Sequence, residues 1–222
     1  MGCVLGIDTA GPVIGAAVWH PGWVESWSAR IVRKADGVLM PAIAELLASV
    51  GSIDLVAVST GPGAFTGLRV GVSMALGIAM ARDVPVVAVS SLAARAACAG
   101  HPRTLSLLDA RKGRVYAGLF DASGDVPVLI GAEHDALLAD ILPEGAFVAV
   151  GEGALVFSEI ITAAGGQVSP DAARCPADEV ARLGMMMRAE ALDPGDIALR
   201  YLRPPDAKVP GGLGQSIGTR AS

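Results

Sequence analysis

Ser59-Thr-Gly-Pro-Gly-Ala-Phe-Thr-Gly-Leu-Arg-Val-Gly71 follows the apolar run Leu55-Val-Ala-Val58 and opens a helix of small residues that reads from Gly67 to about Ala81. A buried strand that turns through glycines into a helix has two uses. Its free amides and helix N-terminus can hold an anion, or its missing side chains can let another backbone come close. The phosphate-binding pattern needs Lys and Ser or Thr directly after the last glycine, and Leu68 and Arg69 stand there instead. Gly61, Gly63 and Gly67 are spaced GxGxxxG, one residue longer than the dinucleotide pattern, and Pro62 removes an amide donor from the turn. A tight structural turn therefore stands beside the anion reading.

The helix after the turn carries two stripes. Gly67, Gly71, Ala75 and Ala79 recur every four residues, and Leu68, Val72, Leu76 and Met80 run alongside them. Glycine within a helix costs about 1 kcal/mol relative to alanine, so Gly67, Gly71 and Gly77 call for a packing reason. Upstream, Leu39, Ile43, Leu46, Leu47 and Val50 keep the spacing of one apolar helical face, with Gly51 as its stop. Pro41 is expected in the first turn of that helix or at a kink. Few charges lie on the outer sides of either helix, which fits a partner surface or an alanine-rich core.

Composition bounds the remaining readings. The 222 residues are long enough for one large domain or two small ones. They are 52% hydrophobic and 18% charged, with mean hydropathy +0.53. No apolar run reaches the ~18 residues of a membrane span, so the excess apolar character points to a permanent interface. A net charge of −5 offers no basic footprint for nucleic acid unaided. Cys3, Cys98 and Cys175 show no disulfide or metal spacing. Met1-Gly-Cys-Val runs into a strand without a basic leader. A reducing, cytoplasmic setting is expected.

Along the chain, Val4–Ile7, Val13–Trp19 and Trp23–Ile31 read as three strands, followed by helix, strand, helix, the strand Val84–Val89 and a helix from about Ser90 to Cys98. The order then restarts: strands at Thr104–Leu108, Val115–Phe120 and Val126–Ile130, a helix near Leu137, a strand at Phe147–Val150 and a helix over Leu155–Ala164. Asp8 ends the first strand of one half and Asp109 that of the other. Two related α/β halves are expected to meet near residue 100, as units of 1–100 and 101–195, with a Pro- and Gly-rich segment over 196–222 expected to be partly disordered. Met185-Met-Met187 reads as adaptable core packing. His20, His101 and His134 are isolated, and neither HExxH nor GxSxG occurs, so a peptidase has no motif behind it.

With Ile7-Asp8-Thr9, Gly61–Gly71, Asp109-Ala-Arg111 and Tyr201-Leu-Arg203 in order, the chain resembles the TsaB (YeaZ) family, a bacterial subunit of the complex that makes threonylcarbamoyladenosine in tRNA. The resemblance implies an actin/Hsp70-like ATPase fold (ribonuclease H-like) of two duplicated subdomains, the second reduced. It implies a non-catalytic role beside TsaD, which transfers the threonylcarbamoyl group to the adenosine next to the anticodon. The ATPase TsaE joins the same assembly, and tRNA is met only through the complex. Leu39, Ile43, Leu46 and Leu47 with Gly67, Leu68, Gly71, Val72, Ala75 and Leu76 are then expected to form the TsaD-pairing surface, which also serves a homodimer. A bulky residue at Gly71 or Ala75 should weaken assembly and leave the monomer folded.

Gly61, Pro62, Gly63, Phe65, Thr66, Arg69, Asp109 and Arg111 carry the family motifs. Arg69 and Arg111 fit phosphate recognition, interface contacts or structural ion pairs. Asp8 and Asp109 stand where actin-like ATPases place Mg-coordinating carboxylates, which makes Asp8 and Thr9 the nucleotide-binding candidates; local hydrogen bonding is the alternative. No metal or resident cofactor is expected in the chain itself, with ATP or ADP and Mg at the partner complex. A stand-alone ATPase of the same fold is the rival reading, and a peptidase the remoter one. Ala35-Asp36-Gly37 replaces the family's usual His-Ser-Glu before the first helix.

Overall fold

A computed structural model describes residues 2–31 and 36–203. The first half forms one sheet from β1 (Val4–Asp8), β2 (Val13–His20), β3 (Trp23–Arg30), β4 (Leu55–Gly61) and β5 (Val86–Ser90). The order is β3-β2-β1-β4-β5. β2 is antiparallel to both neighbours, and β1, β4 and β5 are parallel. β1 and β4 are buried at every position, because sheet strands covered on both faces read as unbroken apolar runs. β3 lies at the edge and leaves Trp23 and Val24 exposed.

Helices α1 (Asp36–Val50) and α2 (Phe65–Arg82) cover one face of this sheet. Leu39, Ile43 and Leu46 from α1 and Val72, Ala75 and Ala79 from α2 share one buried cluster with Leu5, Ile7, Val56 and Val58. Pro41 falls inside α1, beyond its first turn and on its exposed side. Arg82 donates to the Gly51 carbonyl at 3.1 Å and ties the end of α2 to the end of α1.

The second half repeats the plan. β6 (Thr104–Asp109), β7 (Arg114–Asp121), β8 (Val128–Leu137), β9 (Phe147–Val150) and β10 (Gly166–Val168) lie in the order β10-β9-β6-β7-β8. Read from its far edge, this is the same third-second-first-fourth-fifth arrangement, the ribonuclease H-like sheet of the actin/Hsp70 class. Reduction falls on the helices. The place of α1 is taken by a 3-10 turn at Leu138–Asp140, and that of α2 by α4 (Glu152–Val156) and α5 (Ser158–Ala163). The helix expected near Leu137 is absent, because β8 keeps pairing as far as Leu137 opposite Arg114. An Arg114–Asp135 ion pair at 2.8 Å across the two strands supports that extension.

Each half lends its last helix to the other. α3 (Ser91–Ala99) places Leu92 and Ala96 against Leu108 and Phe120 of the second sheet. α6 (Ala177–Met186) returns to the first sheet, where Val180, Ala181 and Leu183 pack on Val4, Leu55 and Ala57. A unit of 101–195 therefore does not describe the packing. Its final helix fills the face of the first sheet that α1 and α2 leave open, a face apolar because strand side chains alternate. Met185 and Met187 pack beside that cluster, and Met186 is exposed. Of the 196–222 segment, residues as far as Arg203 are placed, and 204–222 lie outside the described residues, as does Ala35. No described helix is long and apolar enough to cross a membrane.

Candidate functional site: the glycine turn and the cleft between the halves

The glycine turn is packed against its own chain. A Cβ on Gly63 would stand 2.6 Å from the Ala10 carbonyl, and one on Gly67 or Gly71 would overlap Thr9. The Ala64 amide donates to the Ala10 carbonyl at 2.8 Å, and the Thr9 hydroxyl donates to the Gly67 carbonyl at 2.8 Å. Gly61 has φ of +126°, and a Cβ there would overlap the Arg200 carbonyl. Close backbone approach is thus the use of this turn, and part of its amide supply is spent within the protein.

The approach of Arg200 brings a strap with it. Leu192 pairs with Val86, and the Arg200 amide donates to the Thr60 carbonyl at 2.8 Å. Tyr201 then meets Phe65 with ring centroids 5.1 Å apart, and the Arg69 guanidinium lies 3.8 Å over the Phe65 ring. Two residues on, Arg203 grips both carboxylate oxygens of Asp135 at 2.6 and 2.7 Å and donates to the Ala110 carbonyl. Arg200 also reaches the Glu133 carboxylate at 3.4 Å. The strap therefore links the glycine turn of the first half to β8 of the second.

Between the halves lies a cleft of about 860 Å³. Thr9 to Pro12 and Gly63 to Gly67 line it from the first half, Asp109 to Lys112, Glu152 and Leu155 from the second, and Tyr201 and Arg203 from the strap. Asp8 lies beneath its floor, fully buried, with one Arg95 guanidinium on both carboxylate oxygens at 3.1 and 3.4 Å. Arg95 is 3% exposed and also lies 3.6 Å from Glu152. Burial pushes the Glu152 carboxyl above its ordinary value despite Arg95. Asp109 accepts from the Arg111 amide at 2.8 Å, a local turn. The Arg111 guanidinium, 84% exposed, reaches Asp109 at only 3.7 Å. Arg111 and Lys112 both adopt left-handed φ, 64° and 55°.

These residues do not fit Mg and nucleotide at the position that the fold class implies. The Asp8 carboxylate is already neutralised, the Thr9 hydroxyl is engaged, and Pro12 has no amide to offer. Asp109 takes the local alternative considered for it, whereas Asp8 pairs with Arg95, 87 residues away. Among the described residues no group of three His, Cys, Asp or Glu side chains could hold a metal ion. The Cys98 thiol, pushed up to about 12 by burial, is not a nucleophile at neutral pH.

Residues 31–174 match the family model described as TsaD, tRNA N6-adenosine threonylcarbamoyltransferase. The chain belongs to this family. Its relatives place it in the TsaB/YeaZ branch. It is 34% identical over 121 residues to the tRNA threonylcarbamoyladenosine biosynthesis protein TsaB of Escherichia coli (strain K12), covering 51% of this chain and 52% of that one. It is 34% identical over 146 residues to the TsaB of Bacillus subtilis (strain 168), covering 63% and 64%. The matched region thus spans about half to two thirds of these curated relatives. YeaZ from Pseudomonas aeruginosa superposes with a TM-score of 0.78 at 28% identity, over 91% of this chain and 100% of that one.

The TsaB-like pairing residues need correction. Leu39, Ile43, Leu46, Leu68, Gly71, Val72 and Ala75 are buried inside the monomer, while Leu47, Gly67 and Leu76 are half-buried. Buried side chains cannot meet a partner. Helical periodicity marks a buried face without saying what covers it, and here the sheet does. The outward face of the two helices is Met40, Ala44 and Ala48 on α1 with Ser73, Gly77, Met80 and Ala81 on α2. Met80 is 72% exposed, and a Cβ on Gly77 would meet nothing within 4 Å. Sequence reasoning missed Arg95, Glu152 and Asp135. A lone Arg in the alanine-rich Ser91–Ala99 helix was a usable signal for the first; Glu152 and Asp135 had none without the fold.

Proposed function

We propose that this chain is a non-catalytic TsaB-type subunit that pairs with TsaD to form N6-threonylcarbamoyladenosine at the adenosine beside the tRNA anticodon. The observation that carries this reading is the outward face of α1 and α2. Gly77 finds no packing reason within the monomer, yet an exposed helical glycine costs about 1 kcal/mol. Small residues share the outward sides of the two helices, and Met40 on α1 and Met80 on α2 are 45% and 72% exposed. Close approach of a partner helix would give Gly77 its reason, and flexible methionines suit such a seam. In this reading the same face serves a homodimer when the chain is alone. TsaE joins the larger assembly, ATP or ADP with Mg belongs to the partner complex, tRNA is met through that complex, and the setting is cytoplasmic. The Asp8–Arg95 pair supports the assignment of nucleotide chemistry to the partner.

The test is size-exclusion chromatography with light scattering on the chain mixed with TsaD of its own organism. A one-to-one complex that depletes the homodimer is expected, and substitution Gly77→Arg should abolish it. No complex, with and without ATP and Mg, overturns the reading.

A further inference from the structure

We propose that Arg95 is a built-in replacement for the divalent cation of the actin-like cleft, so that the two halves are joined by the chain itself rather than by metal and nucleotide. Asp8 ends β1 of the first sheet, and Glu152 begins α4 beside the second. A cation that binds two such carboxylates would neutralise both and join the halves. The Arg95 guanidinium does the same work. It engages both oxygens of Asp8, lies 3.6 Å from Glu152 and anchors itself on the Ser91 carbonyl at 2.9 Å. The site is shaped around it. A Cβ on Gly11 would come within 2.9 Å of both Arg95 Nη2 and Glu152 Oε1. Asp8 and Gly11 from the end of β1 and its loop, and Glu152 from α4, thus converge on the planar group of Arg95 from α3.

Arginine differs from a bound ion in two ways that matter. It cannot dissociate, and it keeps its charge at any physiological pH. Burial opposes that charge, but Asp8 and Glu152 hold the Arg95 pKa above the ordinary value. The relative placement of the halves then no longer depends on what occupies the cleft. The chain thus has an internal lock between its halves. The proposal holds whether or not the TsaD pairing does, and its test needs no partner.

The test uses the full chain with Mn²⁺ as probe, read by electron paramagnetic resonance and by thermal unfolding. Wild type should bind no Mn²⁺ at Asp8 and show no Tm shift with Mn²⁺ or Mg²⁺. Substitution Arg95→Met leaves the buried Asp8 and the half-buried Glu152 carboxylates without their guanidinium and should lower the Tm in EDTA by on the order of 10 °C. Mn²⁺ should restore much of that loss. In the double variant Asp8→Asn/Arg95→Met the Tm should recover without metal, and the response to Mn²⁺ should vanish. Three results overturn the proposal: Mn²⁺ binding to wild type that Asp8→Asn removes, a folded Arg95→Met protein indifferent to divalent cations, or an Arg95→Met protein that stays unfolded with Mn²⁺ while the double variant folds. The last would mean that Arg95 only cancels the charge of Asp8.

Discussion

A methyl group at Gly71 has no room, because it would overlap the Thr9 hydroxyl that donates to Gly67. Gly71 and Gly77, both within α2, therefore make opposite predictions. Gly71→Ala forces Thr9 and the β1 loop apart and should destabilise the monomer by about 1–3 kcal/mol. Gly77→Ala adds a Cβ to open helix surface and should stabilise it by about 1 kcal/mol. Urea unfolding of the two variants checks both signs, and equal effects would refute the packing described here. This replaces the expectation that Gly71 belongs to an intermolecular seam. The glycine spacing announced that something approaches the turn. It could not name Thr9, Ala10 and Arg200, which lie 52, 51 and 139 residues from Gly61 in opposite directions along the chain.

At the scale of elements, strands buried on both faces were legible because an apolar run has few other uses, and β1, β4, β6 and β9 stand where their runs lie. β8 was read short, since Glu133, His134 and Asp135 interrupt its apolar run and its last residues hold their place by pairing with β7 rather than by burial. The strap was legible only as motif residues. Its hold on β8 makes an acid-side prediction. Burial opposes ionisation of Asp135, but hydrogen bonds from Arg203 and Arg114 win and lower its pKa below the ordinary 3.8. A depressed carboxyl stabilises the fold above its unfolded value, and that contribution fades as pH falls through the folded one. Asp135→Asn should therefore cost about 1–2 kcal/mol near neutrality, and the difference from wild type should shrink below pH 4. Hydrogen exchange at the Arg200 amide should quicken in the same variant at neutral pH, because the Arg203 anchor lies three residues away. On α2, Met80→Glu should leave the Tm unchanged, since Met80 is 72% exposed, and weaken association with TsaD at least tenfold by placing a charge in the proposed seam.

At the scale of the molecule, the exchange of α3 and α6 decides how the protein comes apart. The duplication was legible in the repeated order of strand, acidic residue and hairpin, which suggests two bodies that fold separately. Packing says otherwise. Removing residues after 100 would strip α6 from the first sheet and expose Val4, Leu55, Ala57, Val87 and Val89, all at most 1% exposed in the full chain. Sequence patterning could not foresee this, because a helix with one apolar face is equally suited to either sheet. The protein carries its own test. Trp19, Trp23 and Trp27 all lie in the first half, so tryptophan fluorescence follows that half alone, while far-ultraviolet circular dichroism follows both. If the halves share their helices as described, the two signals should give one coincident urea transition. A fragment of residues 1–100 should then lack a cooperative transition of its own, whereas two separated midpoints in the full chain would mean that the halves stand independently and that α6 contributes little to the first.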